Sequence, residues 1–542
     1  MASGLLLVAL LSAGALYVVL LWRRKRASFK GLATQPQPPG HDPLFGHAKV
    51  IKELADELPP GIHPAVYGYL LRKKYNLPRA FYVDLWPFSD SWLLVNANEL
   101  SEQITTKPNI AKFNRMKVML QPFGGQRNLV VMEGEEWKRW RGIFNSAFSA
   151  ANLSKHVPAI VHETEKFLDF LSANASSGEV FEMEPAVVDL TVEIIGHVIL
   201  GNAFTAQAGA KGYKAALRNQ IYWVSIGSLP GFSALRALDP WRMYKMRSNE
   251  RQMNQAIGSV IEERWAERQK AGPSGKKALY AIDLALDAFA ADKKAMGQDP
   301  TTAAIDSEYM TILQDQMKTF VFAGHDTSSG TICYISWALH KHPHWLEEVR
   351  AEHDRVLGPD PSAATAAIAA RPNIINELPV TSAVIKETLR VFPPAGTIRG
   401  SETPYPIVDP ETGETFETKD FMVWAPGFAQ MRDERYFPDP HSFRPERWLR
   451  DRCPEELEPR LRDPHAWRPF EVGPRNCIGQ ELAMIEVKIV MALMLRKFEI
   501  IPSYTQKVDS KFDYLGGPAY PVLFGTAKPN QGMPIRVVKR SA

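Results

Sequence analysis

The sequence predicts one large, mainly α-helical domain with small β-sheets, preceded by an N-terminal transmembrane helix. Its 542 residues are 45% hydrophobic and 23% charged, which is typical of a chain that folds around a core and excludes disordered, collagen-like and multi-spanning membrane proteins. Apolar residues recur with helical spacing from residue 102 to about residue 356, which makes helix the main element. Length alone would allow several domains, but the motifs described below converge on one site and favour a single domain.

The N-terminus has the features of a membrane anchor. No charge interrupts residues 4–22, which are mostly Leu, Val and Ala, and as a helix they would extend about 28 Å, enough to cross a bilayer. A cleaved signal peptide would carry its positive charge before the apolar run, whereas the basic residues 23–26 follow it. The positive-inside rule then keeps the body of the chain in the cytosol. We therefore expect a transmembrane anchor at 4–22, a basic and proline-rich hinge at 23–40, and one domain at 41–542.

The remaining elements follow from local patterns along the chain. Turn-forming residues interrupt the helical stretch and predict loops near 122–125, 227–230 and 272–275. Residues alternate at 403–423 around the turn Asp409-Pro-Glu-Thr-Gly413, which predicts a β-hairpin. After it the sequence predicts an irregular meander at 432–469, a helix at 480–497 and a short β segment at 514–524.

Charge and cysteine content exclude two further classes of protein. The 64 basic and 60 acidic residues leave a net charge of +4, which gives no bulk electrostatic reason to bind nucleic acid. Cys333, Cys453 and Cys477 lie far apart and form no C-x-x-C pair, so the chain has neither a disulfide framework nor a four-cysteine zinc site. Any binding site must therefore be found in local motifs.

One of these cysteines has an unusual setting. Cys477 lies in the motif F-E-V-G-P-R-N-C-I-G at residues 470–479, immediately before a helical pattern. A lone cysteine is most often an inert, buried small hydrophobe. Here Gly473 and Gly479 allow close approach of the backbone to a flat ligand and turns that other residues avoid. Arg475 supplies positive charge, and the helix N-terminus favours a thiolate, so the motif indicates a metal thiolate.

This motif resembles the haem-ligand signature of the cytochrome P450 family, Phe-x-x-Gly-x-Arg-x-Cys-x-Gly, at every specified position. The resemblance implies the cytochrome P450 fold with a single haem-binding domain. It also implies haem b as the cofactor, with Cys477 as the axial ligand of the haem iron. Phe470 would then pack beside the thiolate, and Arg475 would pair with a haem propionate.

A second motif lies on a predicted helix, where residues 313, 317, 320, 324 and 327 share one face. A plain core helix explains this stripe, but it does not explain a glycine, an acid and a hydroxyl together in mid-helix. The family's oxygen-binding helix has the same pattern. The resemblance implies that Gly324 leaves room for dioxygen, that Thr327 hydrogen-bonds the bound oxygen, and that Asp326 relays protons to it.

A third motif pairs Glu387 with Arg390 at helical spacing. Such a pair is common on solvated helices and is weak evidence alone. The resemblance implies a buried structural network in which Glu387 also meets Arg447 and which locks the cysteine loop. Trp448, beside Arg447, occupies a position where the family more often has phenylalanine, and we treat the change as conservative.

Trp137 and Arg141 form a fourth motif, one helical turn apart. An exposed cation-π pair would explain them. The resemblance implies instead that both contact the haem propionates, with Arg399 and Arg475 completing a positive cradle for the two carboxylates.

Together these motifs imply a monooxygenase that takes electrons from NADPH through a flavoprotein reductase, with cytochrome b5 as a further partner. It would insert one oxygen atom of O2 into a lipophilic small molecule, because the predicted pocket is apolar. The chain is similar to microsomal enzymes of fungal secondary metabolism, which implies a single-pass protein of the endoplasmic reticulum membrane with a cytosolic catalytic domain. Two alternatives stay open: a reductase-independent haem-thiolate isomerase or dehydratase, and a non-catalytic haem-binding protein. Asp326 and Thr327 favour the monooxygenase, since such isomerases commonly lack this pair.

Overall fold

The computed structural model describes residues 2–30, 34–106, 109–201, 204, 212–228, 239–271, 279–455, 457, 461 and 463–540. The loop predicted at 272–275 lies outside these residues, as do residues 229 and 230 of the loop predicted at 227–230.

The described part of the chain is mainly helical, as predicted. Its α-helices are α1 (Ala2–Lys30), α2 (Ala48–Asp56), α3 (Tyr67–Tyr75), α4 (Asn98–Thr105), α5 (Asn114–Gly124), α6 (Gly134–Asn145), α7 (Ala150–Leu153), α8 (Val157–Ser177), α9 (Met183–Leu200), α10 (Tyr213–Ser228), α11 (Pro240–Ala271), α12 (Ala281–Ala295), α13 (Ser307–Lys341), α14 (Pro343–Leu357), α15 (Ala364–Ala370), α16 (Pro379–Val391), α17 (Gly427–Gln430) and α18 (Gln480–Lys497). The helix predicted at 480–497 is therefore confirmed.

The strands are short and form small sheets. They are β1 (Ala80–Val83), β2 (Trp92–Val95), β3 (Phe181–Glu182), β4 (Thr397–Arg399), β5 (Pro406–Val408), β6 (Thr415–Glu417), β7 (Met422–Ala425), β8 (Phe498–Pro502), β9 (Pro521–Phe524), β10 (Thr526–Pro529) and β11 (Pro534–Lys539). The largest sheet has the order β1-β2-β7-β4, and a smaller one has the order β3-β11-β8. Strands β2 and β7 pair in parallel, whereas their other neighbours in that sheet are antiparallel.

Two antiparallel hairpins complete the β structure. The hairpin β5–β6 pairs Val408 with Thr415 around the predicted turn, so that prediction is confirmed. The hairpin β9–β10 pairs Phe524 with Thr526 across the single residue Gly525. Only the end of the predicted β segment at 514–524 is a strand, because residues 510–515 and 517–519 form 3₁₀ turns.

The centre of the fold is α13, whose 35 residues begin at the N-cap Asp306 and stop before Pro343. The Asp306 carboxylate accepts a hydrogen bond from the Tyr309 amide, which satisfies one of the free donors at the helix start. The other end falls where a proline follows and disfavours further helix at the preceding residue. Helix α13 packs along α9 and touches α5, α11, α16, α18 and β10. Residues from opposite ends of the sequence therefore meet around it.

One predicted loop is wrong. Residues 122–125 were expected to break the helical pattern, but α5 runs through Pro122 and ends at Gly124. Pro122 stands in the last turn of the helix, where its missing amide removes one hydrogen bond and leaves the earlier turns intact. The helix ends where Gly125 adopts a φ of +65°, a conformation that glycine accepts without strain.

The run predicted as a transmembrane anchor lies in α1. Among the residues that the structure describes, no helix is long and apolar enough to cross a membrane. The predicted transmembrane helix is therefore not confirmed.

The segment predicted as a hinge, residues 23–40, makes firm contacts with the domain. Arg26 is buried, pairs with the Asp84 carboxylate, and donates to two backbone oxygens as well. Phe29 is buried in a cluster with the β1–β2 sheet. Further along, the Pro36 carbonyl accepts a hydrogen bond from the Tyr82 amide of β1 (2.9 Å). These contacts fix the end of α1 to the largest sheet.

Candidate active site

The loop at residues 470–479 folds tightly before α18. The Cys477 amide donates to the Phe470 carbonyl (2.8 Å), and the Asn476 amide donates to the Gly473 carbonyl (3.0 Å). Gly473 has a φ of +95°, and a Cβ atom there would lie 2.5 Å from the backbone oxygen of Thr105 on α4. Both facts require glycine, so the loop presses against α4 at this residue.

The sulfur of Cys477 is accessible, whereas Cys333 is buried and Cys453 is half-buried. Burial raises the pKa of the Cys477 thiol, while the Gly479 amide and the Arg141 guanidinium act to lower it. The thiol thus stands beside positive charge at a helix start, where a bound cation would favour the thiolate further.

Two other loop residues frame this sulfur. Phe470 is half-buried, packs against the main core and meets Trp467 edge-on with 5.7 Å between ring centroids. Gly479 has a φ of −89°, which any residue can adopt, and a Cβ there would lie 3.9 Å from the Cys477 sulfur. The special turn predicted at both glycines is therefore found at Gly473 and not at Gly479. What Gly479 contributes is open room beside the sulfur.

Helix α6 braces the loop from one side. Arg141 donates to the backbone oxygen and to the side-chain oxygen of Asn476, both at 2.9 Å. Its Nε donates to Asn145, so all three of its nitrogens have protein partners. One turn earlier, the Trp137 ring lies under the Arg475 guanidinium, 4.6 Å from centroid to carbon. The structure thus places Arg141 on the cysteine loop, and its predicted contact with a propionate stays a prediction.

The positive cradle is the most unusual part of the site. Arg399, on β4, is fully buried, yet none of its three guanidinium nitrogens has a hydrogen-bond partner. Arg475 donates to the Met132 carbonyl (2.7 Å) and pairs with Glu133, but its Nε and one Nη have no partner. Burial lowers the pKa of Arg399 to about 10. Buried donors without acceptors are costly, so these nitrogens point to a missing anion.

Lys112 adds a third cation that the sequence motifs did not predict. Burial, together with the positive charges of Arg399 and Arg475, lowers its pKa to about 7. It lies in the segment before α5, and only the folded chain brings it to the other two. No spacing or motif in the sequence could have identified it.

These residues fit haem b. A haem carries two propionates, and the free nitrogens of Arg399 and Arg475 offer charge-assisted donors for them. The accessible sulfur of Cys477, two residues beyond Arg475, is the donor type that a haem-thiolate iron requires.

Helix α13 supplies the predicted oxygen-side residues. Thr327 is half-buried, and its hydroxyl donates to the Ala323 carbonyl at 3.0 Å. Ala323 is exposed even though it lies in the middle of a long central helix, so this turn borders a hollow. A Cβ at Gly324 would lie 2.8 Å from Ile195 on α9. The room predicted at Gly324 therefore falls at Ala323, and Gly324 allows close packing of α13 on α9.

Asp326 is buried and faces the hairpin β9–β10. One carboxylate oxygen accepts from the Thr526 amide at 2.8 Å, and the other lies 3.2 Å from the Lys528 ammonium group. The sequence motifs did not predict Lys528, because about two hundred residues separate it from the acid.

The predicted structural network is present and fully buried. Arg390 donates to both carboxylate oxygens of Glu387, at 2.8 and 2.9 Å, and to three backbone carbonyls of the meander. Arg447 lies 3.5 Å from the same carboxylate. The Trp448 indole also donates to Glu387, at 2.9 Å. Trp448 is therefore a hydrogen-bonding member of the network, which a phenylalanine could not be.

A mainly helical domain, an accessible cysteine in a glycine-braced loop and a cradle of buried arginine nitrogens without partners together define a haem-thiolate protein. The cytochrome P450 family model matches residues 36–521, so the chain belongs to the cytochrome P450 family.

The relatives and solved structures agree with this assignment. The chain is 33% identical over 93% of its length to the cytochrome P450 monooxygenase polC of Polytolypa hystricis, covering 89% of that protein. It is 32% identical over 88% of its length to the cytochrome P450 monooxygenase acrF of Aspergillus aculeatus, covering 98% of it. The crystal structure of the cytochrome P450DA heme domain superposes with a TM-score of 0.71 at 21% identity, covering 94% of this chain and 97% of that one.

Proposed function

We propose that this cytochrome P450 is a haem-thiolate monooxygenase that inserts one oxygen atom of O2 into a lipophilic small molecule. NADPH supplies the electrons through a flavoprotein reductase. The observation that carries this proposal is the cradle of buried, unpaired nitrogens on Arg399 and Arg475 next to the accessible sulfur of Cys477. The fungal relatives, both named monooxygenases, support a role in secondary-metabolite biosynthesis.

The residues divide the work between two faces of the site. Haem b, when bound, supplies an iron that accepts the cysteine thiolate and activates dioxygen. Cys477 supplies that thiolate, and Arg141 stabilises it with its positive charge while holding the loop through Asn476. Arg399 and Arg475 would hold the haem propionates through their free nitrogens.

On the other face, residues of α13 handle protons. The Thr327 hydroxyl, half-buried beside the open turn at Ala323, can rotate from its helix carbonyl to donate to a bound oxygen. Asp326, one residue earlier, can hold and pass a proton. An isomerase or dehydratase that rearranges a substrate without external electrons needs neither group, so this pair supports the monooxygenase.

The thiolate assignment is tested by Cys477→Ser, with Cys453→Ser as the matched control because Cys453 lies in the meander. We expect Cys477→Ser to lose the red-shifted Soret band of the reduced carbon monoxide complex, and the control to keep it. A band that survives in Cys477→Ser would identify a different axial ligand and contradict the proposal.

The reaction class is tested by supplying 18O2, NADPH and the reductase with a panel of lipophilic substrates. A monooxygenase incorporates one labelled atom per product and consumes NADPH in the presence of substrate. Product formed without reductase would support the isomerase instead. Thr327→Ala should release more hydrogen peroxide per NADPH, and unchanged coupling would remove the role given to its hydroxyl.

We further propose that the chain works at the cytosolic face of the endoplasmic reticulum membrane. Leu16, Tyr17 and Val18 of α1 are exposed, and basic residues follow them at 23–26. Flotation with phospholipid vesicles tests this: the full chain should float, and a chain that begins at Arg23 should not. Equal flotation of both would contradict it. Cytochrome b5 is a proposed second electron donor, and its addition should raise product formed per NADPH.

A further inference from the structure

Lys528 is a fully enclosed cation that takes no part in the proposed haem contacts. Its side chain is 2% exposed, and it projects from β10 onto α13. The ammonium group donates to the backbone carbonyl of Asp326 and to the Ser329 hydroxyl (2.6 Å), and it forms an ion pair with the Asp326 carboxylate at 3.2 Å. All three contacts lie on one turn of α13.

The turn of the β9–β10 hairpin contacts the second oxygen of the same Asp326 carboxylate. The Thr526 amide donates to Asp326 at 2.8 Å. Gly525, with a φ of +76°, comes so close that a Cβ there would lie 2.8 Å from the carboxylate. Both oxygens of Asp326 are thus held by the hairpin, one by its backbone and one by Lys528.

The same turn also touches α10. The Gly525 amide donates to the hydroxyl of Ser225 at 3.0 Å, and Arg218 lies over the Phe524 ring at 5.8 Å. Arg218 also pairs with Glu184 at 3.2 Å, and Glu184 lies 3.5 Å from the Lys528 ammonium group. The β9–β10 hairpin therefore contacts both α10 and the Asp326 carboxylate on α13.

We propose that Lys528 is a positioning residue for Asp326, and that the proton path of the oxygenation depends on where the β9–β10 hairpin holds that acid. This inference rests on the proposed function, since it concerns protons that the monooxygenase consumes. Lys528 neutralises a buried carboxylate and fixes its two oxygens toward the hairpin. A shift of α10 or of the hairpin therefore moves the Asp326 carboxylate relative to Thr327.

Hydrogen exchange at the Thr526 amide reports the contact directly and needs no catalysis. In Lys528→Met we expect this amide to exchange at least about tenfold faster, because the acceptor that Lys528 holds in place is released. Lys539→Met, an exposed lysine on β11, is the matched control and should exchange at the wild-type rate. Unchanged exchange in Lys528→Met would overturn the proposal.

A double-variant cycle separates positioning from a merely structural role. Lys528→Met and Asp326→Asn should each raise hydrogen peroxide release per NADPH several-fold, and the double variant should match Asp326→Asn alone, because Lys528 acts through that acid. Lys528→Arg should restore most of the coupling, and Gly525→Ala should mimic the loss with Lys528 intact. Additive effects in the double variant, or normal coupling in Lys528→Met, would overturn the proposal.

Two further outcomes keep the test decisive. If Lys528→Met does not fold, the double variant removes both charges and should fold again, whereas its failure would overturn the pairing. If Cys477→Ser keeps the red-shifted band, the proposed function fails, and Thr526 exchange still decides whether Lys528 holds Asp326. If that band and product formation are normal and only the Lys528 readouts are unchanged, this inference alone fails.

Discussion

Two clusters of buried arginine lie within one domain, and they differ in how many hydrogen-bond acceptors the protein supplies to them. Around Glu387, Arg390 has a protein acceptor for each of its five donors, and a carboxylate lies at the centre. In the cradle, Arg399 is equally buried and has no acceptor for any of its nitrogens. Arg390 is fully satisfied as the chain folds, although its neighbour Arg447 keeps two buried nitrogens without a hydrogen-bond partner, whereas Arg399 is completed by a ligand.

The contrast shows how a structural charge and a binding charge can be distinguished. A buried cation is stabilised either by acceptors of the protein itself or by those of a bound molecule. Saturated hydrogen bonding around Arg390 indicates a role in stability. Orphaned donors on Arg399 and Arg475 indicate an anion site.

The largest expected effect is on the stability of the cluster around Glu387. Glu387→Gln leaves Arg390 and Arg447 buried without a counter-charge, and we expect the free energy of unfolding to fall by about 3 to 5 kcal/mol. Urea denaturation of the haem-loaded protein measures this. The exposed Glu347→Gln, on α14, is the control and should lie within about 0.5 kcal/mol of wild type. A loss as small as the control would mean that the network does not stabilise the fold.

Arg399→Met should act in the opposite sense. It removes donors that lack partners in the haem-free chain, so the stability of that form should not fall. Haem affinity should fall about 10- to 100-fold, because a charge-assisted pair with a propionate is lost. Haem transfer to apomyoglobin measures the affinity. Unchanged haem affinity, or a destabilised haem-free chain, would place Arg399 with the structural cluster.

Trp448→Phe tests the contribution of one hydrogen bond within the cluster around Glu387. It deletes one donor to Glu387 while the carboxylate keeps Arg390, so we expect a loss of about 1 kcal/mol in unfolding free energy and no change in haem affinity. Trp137→Phe, which alters the ring under Arg475, is the counterpart and should change haem affinity more than stability. A Trp448→Phe variant with wild-type stability would show that the indole bond contributes nothing.

The smallest effect is a pH dependence of the haem-free chain. Lys112 titrates near pH 7 in the folded chain, because of burial and its two arginine neighbours, and near 10.5 when unfolded. Between these values the unfolded chain binds more protons, so stability rises with pH across this window and its penalty is complete below it. The difference in unfolding free energy between wild type and Lys112→Met should therefore shrink from pH 7 to pH 10. A constant difference would contradict the shifted pKa.

Local sequence signals identified much of the fold and of the site. The helix at 480–497 and the hairpin around Asp409–Gly413 follow from periodicity and turn chemistry, which act over a few residues. Cys477 was identified from a dense motif with a chemical reason for its main residues, whereas Glu387 and Arg390 were identified through the family resemblance, because their pair alone is weak evidence.

What the sequence could not show depends on contacts between distant segments. Lys112 and Lys528 carry no motif, and only the fold brings them to Arg399 and Asp326. The sequence predicts that Gly324 leaves room for a ligand, whereas in the structure it lies against Ile195 on α9. Which helix packs against a given residue depends on the fold and cannot be seen in one sequence. The Trp448 bond was missed because replacement of phenylalanine looked conservative by size alone.

The docking of α1 has a practical consequence for anyone who shortens this protein. Asp84 is buried, and Arg26 is its main counter-charge, with His41 3.0 Å away on the same oxygen. A truncated chain that starts beyond Arg26 removes this counter-charge and leaves the carboxylate with His41, the Trp86 amide and the Ser91 hydroxyl as partners. A shortened chain should therefore retain the last turns of α1 and omit only the residues that precede them.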